Sequence, residues 1–146
     1  MYSVPSEQPI PIHQVEPAMV GLVGHTVHAG FPSPADDHAI SRIDLNEVLI
    51  RHPAATYFIR VRGTSMCQDG IDDGDAVIVD KAITPSHGHV VVAVVDGEFT
   101  VKRLWKRGSN VKLKAANPTY PDIVPKDGQT ITVWGVVTVV IKEMRV

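Results

Sequence analysis

From residue 56 onward the side-chain pattern repeats every second position. Runs at 56–62, 75–81, 88–95, 98–105, 110–115 and 131–141 are rich in Val, Ile, Thr, Tyr and Phe, with Gly and Asp between them. Residues of this shape suit a pleated, half-buried surface, and alternation places every other side chain on the same face. Asp96-Gly97 separates two of the runs, and this dipeptide favours the tight turn of a two-residue hairpin. With Asp96 and Gly97 as the turn, Val95 faces Glu98, Ala93 faces Thr100 and Val91 faces Lys102. Five or six short strands joined by such turns predict a mostly β fold, a compact and largely antiparallel body.

Ahead of this pattern the signals change. Asp44-Leu45-Asn46-Glu47 has the spacing of an N-cap with an acidic residue three positions on, and Leu45, Val48 and Leu49 mark one helical face. Pro53 limits the helix just beyond His52, so one short helix is expected over 44–52. Residues 1–38 hold six of the eleven prolines, at Pro5, Pro9, Pro11, Pro17, Pro32 and Pro34. Proline fixes φ and removes a backbone donor, which predicts an extended arm poor in ladder hydrogen bonds. Within it, 20–27 is a candidate short strand weakened by Gly21 and Gly24. The expected division is a mobile N-terminal arm, 1–38, and a β body, 39–146.

A chain of 146 residues accommodates one domain and a loose arm, and 44% apolar residues suffice for a core. The formal charge of −2 is unevenly placed. Residues 1–29 contain Glu7, Glu16 and no Lys or Arg, leaving 14 cations and 14 acidic groups on the remainder. A neutral body lacks the clustered cations that phosphate neutralisation requires, so direct binding of duplex DNA is not expected. Cys67 is the single cysteine, which excludes a disulfide framework and a cysteine-based zinc site and suits a reducing compartment. The N-terminus has no basic start followed by an apolar stretch, and the apolar run 131–141 is too short to span a bilayer. The expectation is a cytoplasmic protein with no membrane partner.

Two polar residues stand out against the β pattern. Ser65 lies in Gly63-Thr64-Ser65-Met66, a tight turn after an apolar run, and Lys102 lies on the return strand of the Asp96-Gly97 hairpin. A serine hydroxyl becomes a useful nucleophile only when a neighbouring base takes its proton. Lys102 has apolar cross-strand neighbours and shares a face with Thr100, whose hydroxyl can orient the amine. Desolvation lowers a lysine pKa, and bringing it from about 10.4 towards neutrality takes about 4 kcal/mol. Glycine at 63 permits close approach of a peptide backbone and leaves the Thr64 and Ser65 amides free to meet an oxyanion.

Plainer readings accompany each of these. Gly-Thr-Ser is ordinary turn chemistry, Met66 fills a core position, and Lys102 is a solvated strand lysine like Lys112 or Lys114. The seven histidines, His13, His25, His28, His38, His52, His87 and His89, form no metal-ligand spacing, so no metal or other cofactor is expected. Nothing near Cys67 lowers its pKa, and a passive side chain is the expected reading.

These residues in this order resemble the LexA/UmuD family of self-cleaving Ser/Lys proteins. The resemblance runs from about Gly30 to the C-terminus. It includes Gly30-Phe31-Pro32-Ser33-Pro34, Ile43-Asp44-Leu45-Asn46, His52-Pro53-Ala54-Ala55-Thr56-Tyr57-Phe58 and Gly63-Thr64-Ser65-Met66. It continues through Asp73-Gly74-Asp75, Ile78-Val79-Asp80 and Asp96-Gly97-Glu98-Phe99-Thr100-Val101-Lys102. By that resemblance Ser65 is the nucleophile and Lys102 the general base. The Thr64 and Ser65 amides form the oxyanion site, Thr100 orients the lysine, and Ala29-Gly30 is the scissile bond. The family also implies the setting: the SOS response, with cleavage stimulated by a RecA filament on single-stranded DNA. The shortened product, residues 30–146, would be a homodimeric accessory to the catalytic subunit of a translesion DNA polymerase.

Three other functions compete. One is a non-catalytic dimeric interaction module whose serine and lysine are vestigial. A self-cleaving repressor would need a DNA-binding helix-turn-helix ahead of the cleaved bond, and the 29 residues ending at Ala29 are proline-rich and lack cations. A membrane signal peptidase uses similar chemistry but needs an anchor.

Overall fold

The computed structural model describes residues 16–24, 26–27, 29–30, 39–126 and 129–146. Pro5, Pro9, Pro11, Pro32 and Pro34, with His13, His25, His28 and His38, lie outside the described residues.

Strand β1 (Met19–Val23) pairs antiparallel with β2 (Ala39–Asp44), from Met19 opposite Asp44 to Val23 opposite Ala39. The β2 strand was not foreseen, since Ser41, Arg42 and Asp44 break the apolar alternation. Its ladder joins segments on either side of residue 38. Asp44 then caps α1 (Leu45–Leu49), its side chain accepting from the Asn46 amide at 3.0 Å. The helix is shorter than the expected 44–52. Ile50 is already extended, at φ −127° and ψ 114°, and Pro53 opens a separate 3₁₀ turn over Pro53–Ala55. Proline at 53 has no N–H for the Leu49 carbonyl, crowds it sterically and keeps His52 extended, so nothing supports the helix beyond Leu49.

The body is one six-stranded antiparallel sheet. Its strands are β3 (Thr56–Arg60), β4 (Ala76–Asp80), β5 (Val90–Val95), β6 (Glu98–Arg107), β7 (Asn110–Lys114) and β8 (Ile131–Ile141). In space they run β3-β4-β8-β5-β6-β7, so the last strand in the chain sits in the middle of the sheet. The mostly β, largely antiparallel fold read from the sequence is the fold observed. The expected hairpin register holds residue for residue: Val95 opposite Glu98, Ala93 opposite Thr100, Val91 opposite Lys102. Asp96 takes φ 49° and Gly97 φ 82°, both positive, as a twist-compatible two-residue hairpin requires.

Alternation along the strands sorts apolar side chains into two clusters. One gathers Val61, Met66, Ile71, Val77, Val79 and Val92; the other gathers Val91, Ala93, Leu104, Leu113 and Val136. Neighbours Val91 and Val92 thus serve opposite faces. Central β4 is buried along its whole length, which explains its uninterrupted apolar run. Met66 belongs to the first cluster and is almost fully buried, so the residue after Ser65 anchors the turn in the core.

Candidate active site

Ser65 and Lys102 come from different parts of the sheet. Ser65 follows β3, and Lys102 lies in β6, with three strands, β4, β8 and β5, between them. The chain brings them together by folding the turn after β3 against the segment after β7. The Ala116 amide donates to the Ser65 carbonyl at 2.8 Å, and the Gln68 amide donates to the Ala116 carbonyl at 2.9 Å. An ion pair adds to this: Arg103, next to Lys102, sends Nε and Nη2 to one oxygen of Asp69 at 3.0 and 2.9 Å. On the other flank, Gly63 at φ 92° turns its amide to Asp73 Oδ1 at 2.7 Å. A positive φ is open to glycine without steric cost, and that conformation lets the chain leave β3 into the tight turn.

Lys102 Nζ lies 3.0 Å from Ser65 Oγ, 2.9 Å from Thr100 Oγ1 and 3.1 Å from the carbonyl oxygen of Val101. No carboxylate is among these three partners. The lysine side chain is buried, at 8% exposure, between strands whose facing residues, Val91 and Ala93, are fully buried. Burial holds its pKa below the ordinary lysine range, because the charged form has lost its water. A neutral amine offers two N–H groups and one lone pair, and the three neighbours match that inventory. With the amine neutral, its N–H groups would go to Thr100 and Val101 and its lone pair would accept from the Ser65 hydroxyl; with it charged, the ammonium donates to all three.

Above the pair is an open cleft of about 890 Å³. Phe58, Phe99 and Trp134 form an apolar wall, with Met66 beside the serine. Trp134 organises that wall: its ring centroid is 5.0 Å from Tyr57 and 5.7 Å, edge-on, from Phe99. Lys81 Nζ lies 4.6 Å from the same ring centroid. Phe58 and Phe99 are 53% and 64% exposed, a large apolar surface left open to a partner segment.

The amides of Thr64 and Ser65 donate no hydrogen bond among the described residues. Ala29 and Gly30 are exposed, and neither lines the cleft. The structure therefore brings Ser65, Lys102 and Thr100 into contact, while the Ala29-Gly30 bond stands apart from them. Cys67 is exposed, in the 3₁₀ turn Cys67–Asp69, and free. The described histidines are structural. His52 Nδ1 meets Asp80 Oδ2 at 2.6 Å, His87 Nδ1 accepts from the Lys106 amide and His89 Nδ1 from the Ser86 amide. Among the described residues, no group of three or more His, Cys, Asp or Glu gathers as metal ligands.

Sequence reasoning missed Asn117 and Tyr120, which hold Thr64 from the segment after β7. Asn117 Nδ2 donates to the Thr64 carbonyl at 2.9 Å, and the Tyr120 and Thr64 hydroxyls lie 3.2 Å apart. Asn117-Pro118 is a turn signal, but no local pattern says that the turn reaches residue 64.

A serine hydroxyl thus meets a buried lysine beneath an apolar cleft on a β body. By comparison with known proteins, the chain belongs to the Peptidase S24-like family, which it matches over residues 20–138. It is 47% identical over 117 residues to protein SamA of Salmonella typhimurium, covering 80% of this chain and 81% of that one. Protein ImpA of Escherichia coli is 46% identical over 125 residues, 85% of this chain and 84% of its own. The LexA repressor of Syntrophotalea carbinolica is 40% identical over 125 residues, covering 82% of this chain and 58% of the repressor. Within the family the chain is UmuD-like. Among the described residues, no helix is long and apolar enough to cross a membrane.

Proposed function

We propose that this chain is a self-cleaving serine peptidase in which Ser65 attacks the Ala29-Gly30 bond of its own arm and Lys102 is the general base. The observation that carries the reading is the 3.0 Å contact between Ser65 Oγ and a buried lysine that has no carboxylate partner among the described residues. Neutral Lys102 takes the Ser65 proton as Oγ bonds to the Ala29 carbonyl carbon. The Thr64 and Ser65 amides receive the resulting oxyanion. Collapse of the tetrahedral species breaks the C–N bond, and the lysine returns the proton to the departing Gly30 amine. Water, deprotonated in turn by Lys102, then releases the acyl group from Ser65. Thr100 holds the amine through its 2.9 Å contact, so its lone pair stays on the hydroxyl.

The exposed position of Ala29 and Gly30 favours regulation by docking. An arm outside the cleft is uncut, and whatever raises the docked population raises the rate without new chemistry. A RecA filament on single-stranded DNA fits that role. The shortened product, residues 30–146, would act as a homodimeric accessory to the catalytic subunit of a translesion polymerase during the SOS response. The similarity to SamA, ImpA and LexA supports this setting, and a cytoplasmic site of action accords with it.

The test is intact-mass analysis after incubation between pH 7 and 10. Loss of residues 1–29 should accelerate as pH rises and more Lys102 is neutral, and Ser65→Ala and Lys102→Ala should remain whole. Cleavage that persists in both variants excludes this pair.

A further inference from the structure

The segment that follows β7 grips the nucleophile turn by its carbonyl oxygens. Asn117 Nδ2 donates to the Thr64 carbonyl at 2.9 Å, and the neighbouring Ala116 amide donates to the Ser65 carbonyl at 2.8 Å. Asn117 is itself held in one orientation. Its Oδ1 accepts from the Thr119 amide at 3.1 Å and from Thr119 Oγ1 at 2.8 Å, which leaves the NH₂ end turned towards Thr64. The other donor to the Thr64 carbonyl is the Cys67 amide, at the longer distance of 3.3 Å.

The Thr64–Ser65 peptide is trans, so its C=O and N–H point in opposite directions within one rigid plane. A hydrogen bond that fixes the carbonyl therefore fixes the amide as well. The Ser65 N–H, on the far side of that plane from Asn117, donates to nothing among the described residues.

We propose that Asn117 is a positioning residue. By holding the Thr64 carbonyl it aims the Ser65 N–H at the place where the acyl oxygen becomes negatively charged. Asn117 does not touch the reacting atoms; it acts through one peptide plane. This rests on the reading of Ser65 as the nucleophile. An oxyanion donor is effective only when it is aligned before reaction, because realignment during reaction adds to the barrier. Without Asn117 the plane is left to the weaker Cys67 contact and can rock.

The experiment measures self-cleavage from pH 7 to 11 in the full chain, for wild type, Asn117→Ala and Asn117→Asp. The aspartate keeps the size of the side chain and its turn with Thr119, but sets a carboxylate oxygen against the Thr64 carbonyl. Both variants should lower the high-pH plateau by about 10- to 100-fold, less than the 10²- to 10³-fold loss on deleting an oxyanion donor outright. The midpoint of the pH profile should stay where it is, since Lys102 sets it. Binding of a peptide boronic acid, which forms a tetrahedral adduct on serine, should weaken by a similar factor. Wild-type plateaus in both variants overturn the role of Asn117, and so does a shifted midpoint with an unchanged plateau. Cleavage in a parallel Ser65→Ala control overturns the nucleophile assignment instead.

Discussion

Lys102 combines features that seldom coincide: an ionisable amine, almost complete burial and, among the described residues, no opposite charge to hold it. Its folded-state pKa lies below the unfolded value, so over the interval between them the unfolded chain carries a proton that the folded chain lacks. Stability should therefore rise with pH through that window, up to the ordinary lysine value near 10.4. In a Ser65→Ala background, which keeps the chain whole, Lys102→Met removes this dependence. Urea denaturation should show the variant's stability, relative to the parent, falling steadily as pH increases; a constant difference would mean that the lysine is not desolvated. The sequence made part of this environment readable. Asp96-Gly97 set the register, and the register placed Val91 opposite Lys102 and Thr100 on the same face. The Val101 carbonyl, the Arg103–Asp69 pair and the reach of Asn117 to Thr64 were not readable. The last two are contacts between segments far apart in the chain, about which local periodicity carries no information, and the first depends on the rotamer that packing gives Lys102.

At the scale of single elements, β8 was the strand whose limits were read without error, yet its internal geometry was hidden. The ladder between β5 and β8 shifts register between Val92 and Ala93, which face Gly135 and Val133, so Trp134 is the extra residue of a bulge. That irregularity accompanies the placing of the indole in the cleft wall. Gly135 lies under β4 so closely that an added Cβ would stand 2.5 Å from Val79 Cγ1, on a stiff and fully buried side chain. Gly135→Ala should cost about 1–3 kcal/mol, measured as a lowered urea midpoint, because the core cannot yield there without strain. Unchanged stability would show that β4 and β8 have slack. The helix and β2 make the complementary point. Asp44 was legible as a cap, but Ile50 turned extended ahead of Pro53, and β2 exists because β1 pairs with it, despite an alternation too broken to announce a strand.

Across the whole molecule, the proposed scissile bond Ala29-Gly30 and the residues proposed to cut it occupy separate places. Gly30 has nothing within 4 Å of an added Cβ among the described residues, so a larger side chain is harmless in this arrangement. Gly30→Glu should leave thermal unfolding unchanged while reducing self-cleavage by at least tenfold at pH 10, since crowding arises only once the bond approaches Ser65. Normal processing of that variant would mean that the docked arm passes the serine with room to spare. The aromatic wall of Phe58, Phe99 and Trp134 is open in this arrangement, and on the proposed function it would remain as an apolar surface on residues 30–146.

The place of β8 between β4 and β5 has a consequence for biosynthesis. A ribosome delivers the β3–β4 hairpin with its alcohol first and the β5–β6–β7 meander with its amine later, and the staple between those halves emerges last. On the proposed function, a nascent polypeptide carries its target bond before β8 has joined the two halves that hold Ser65 and Lys102. On that reading, chains halted at residue 130 should stay uncut even in strong alkali, where the complete sheet permits cleavage.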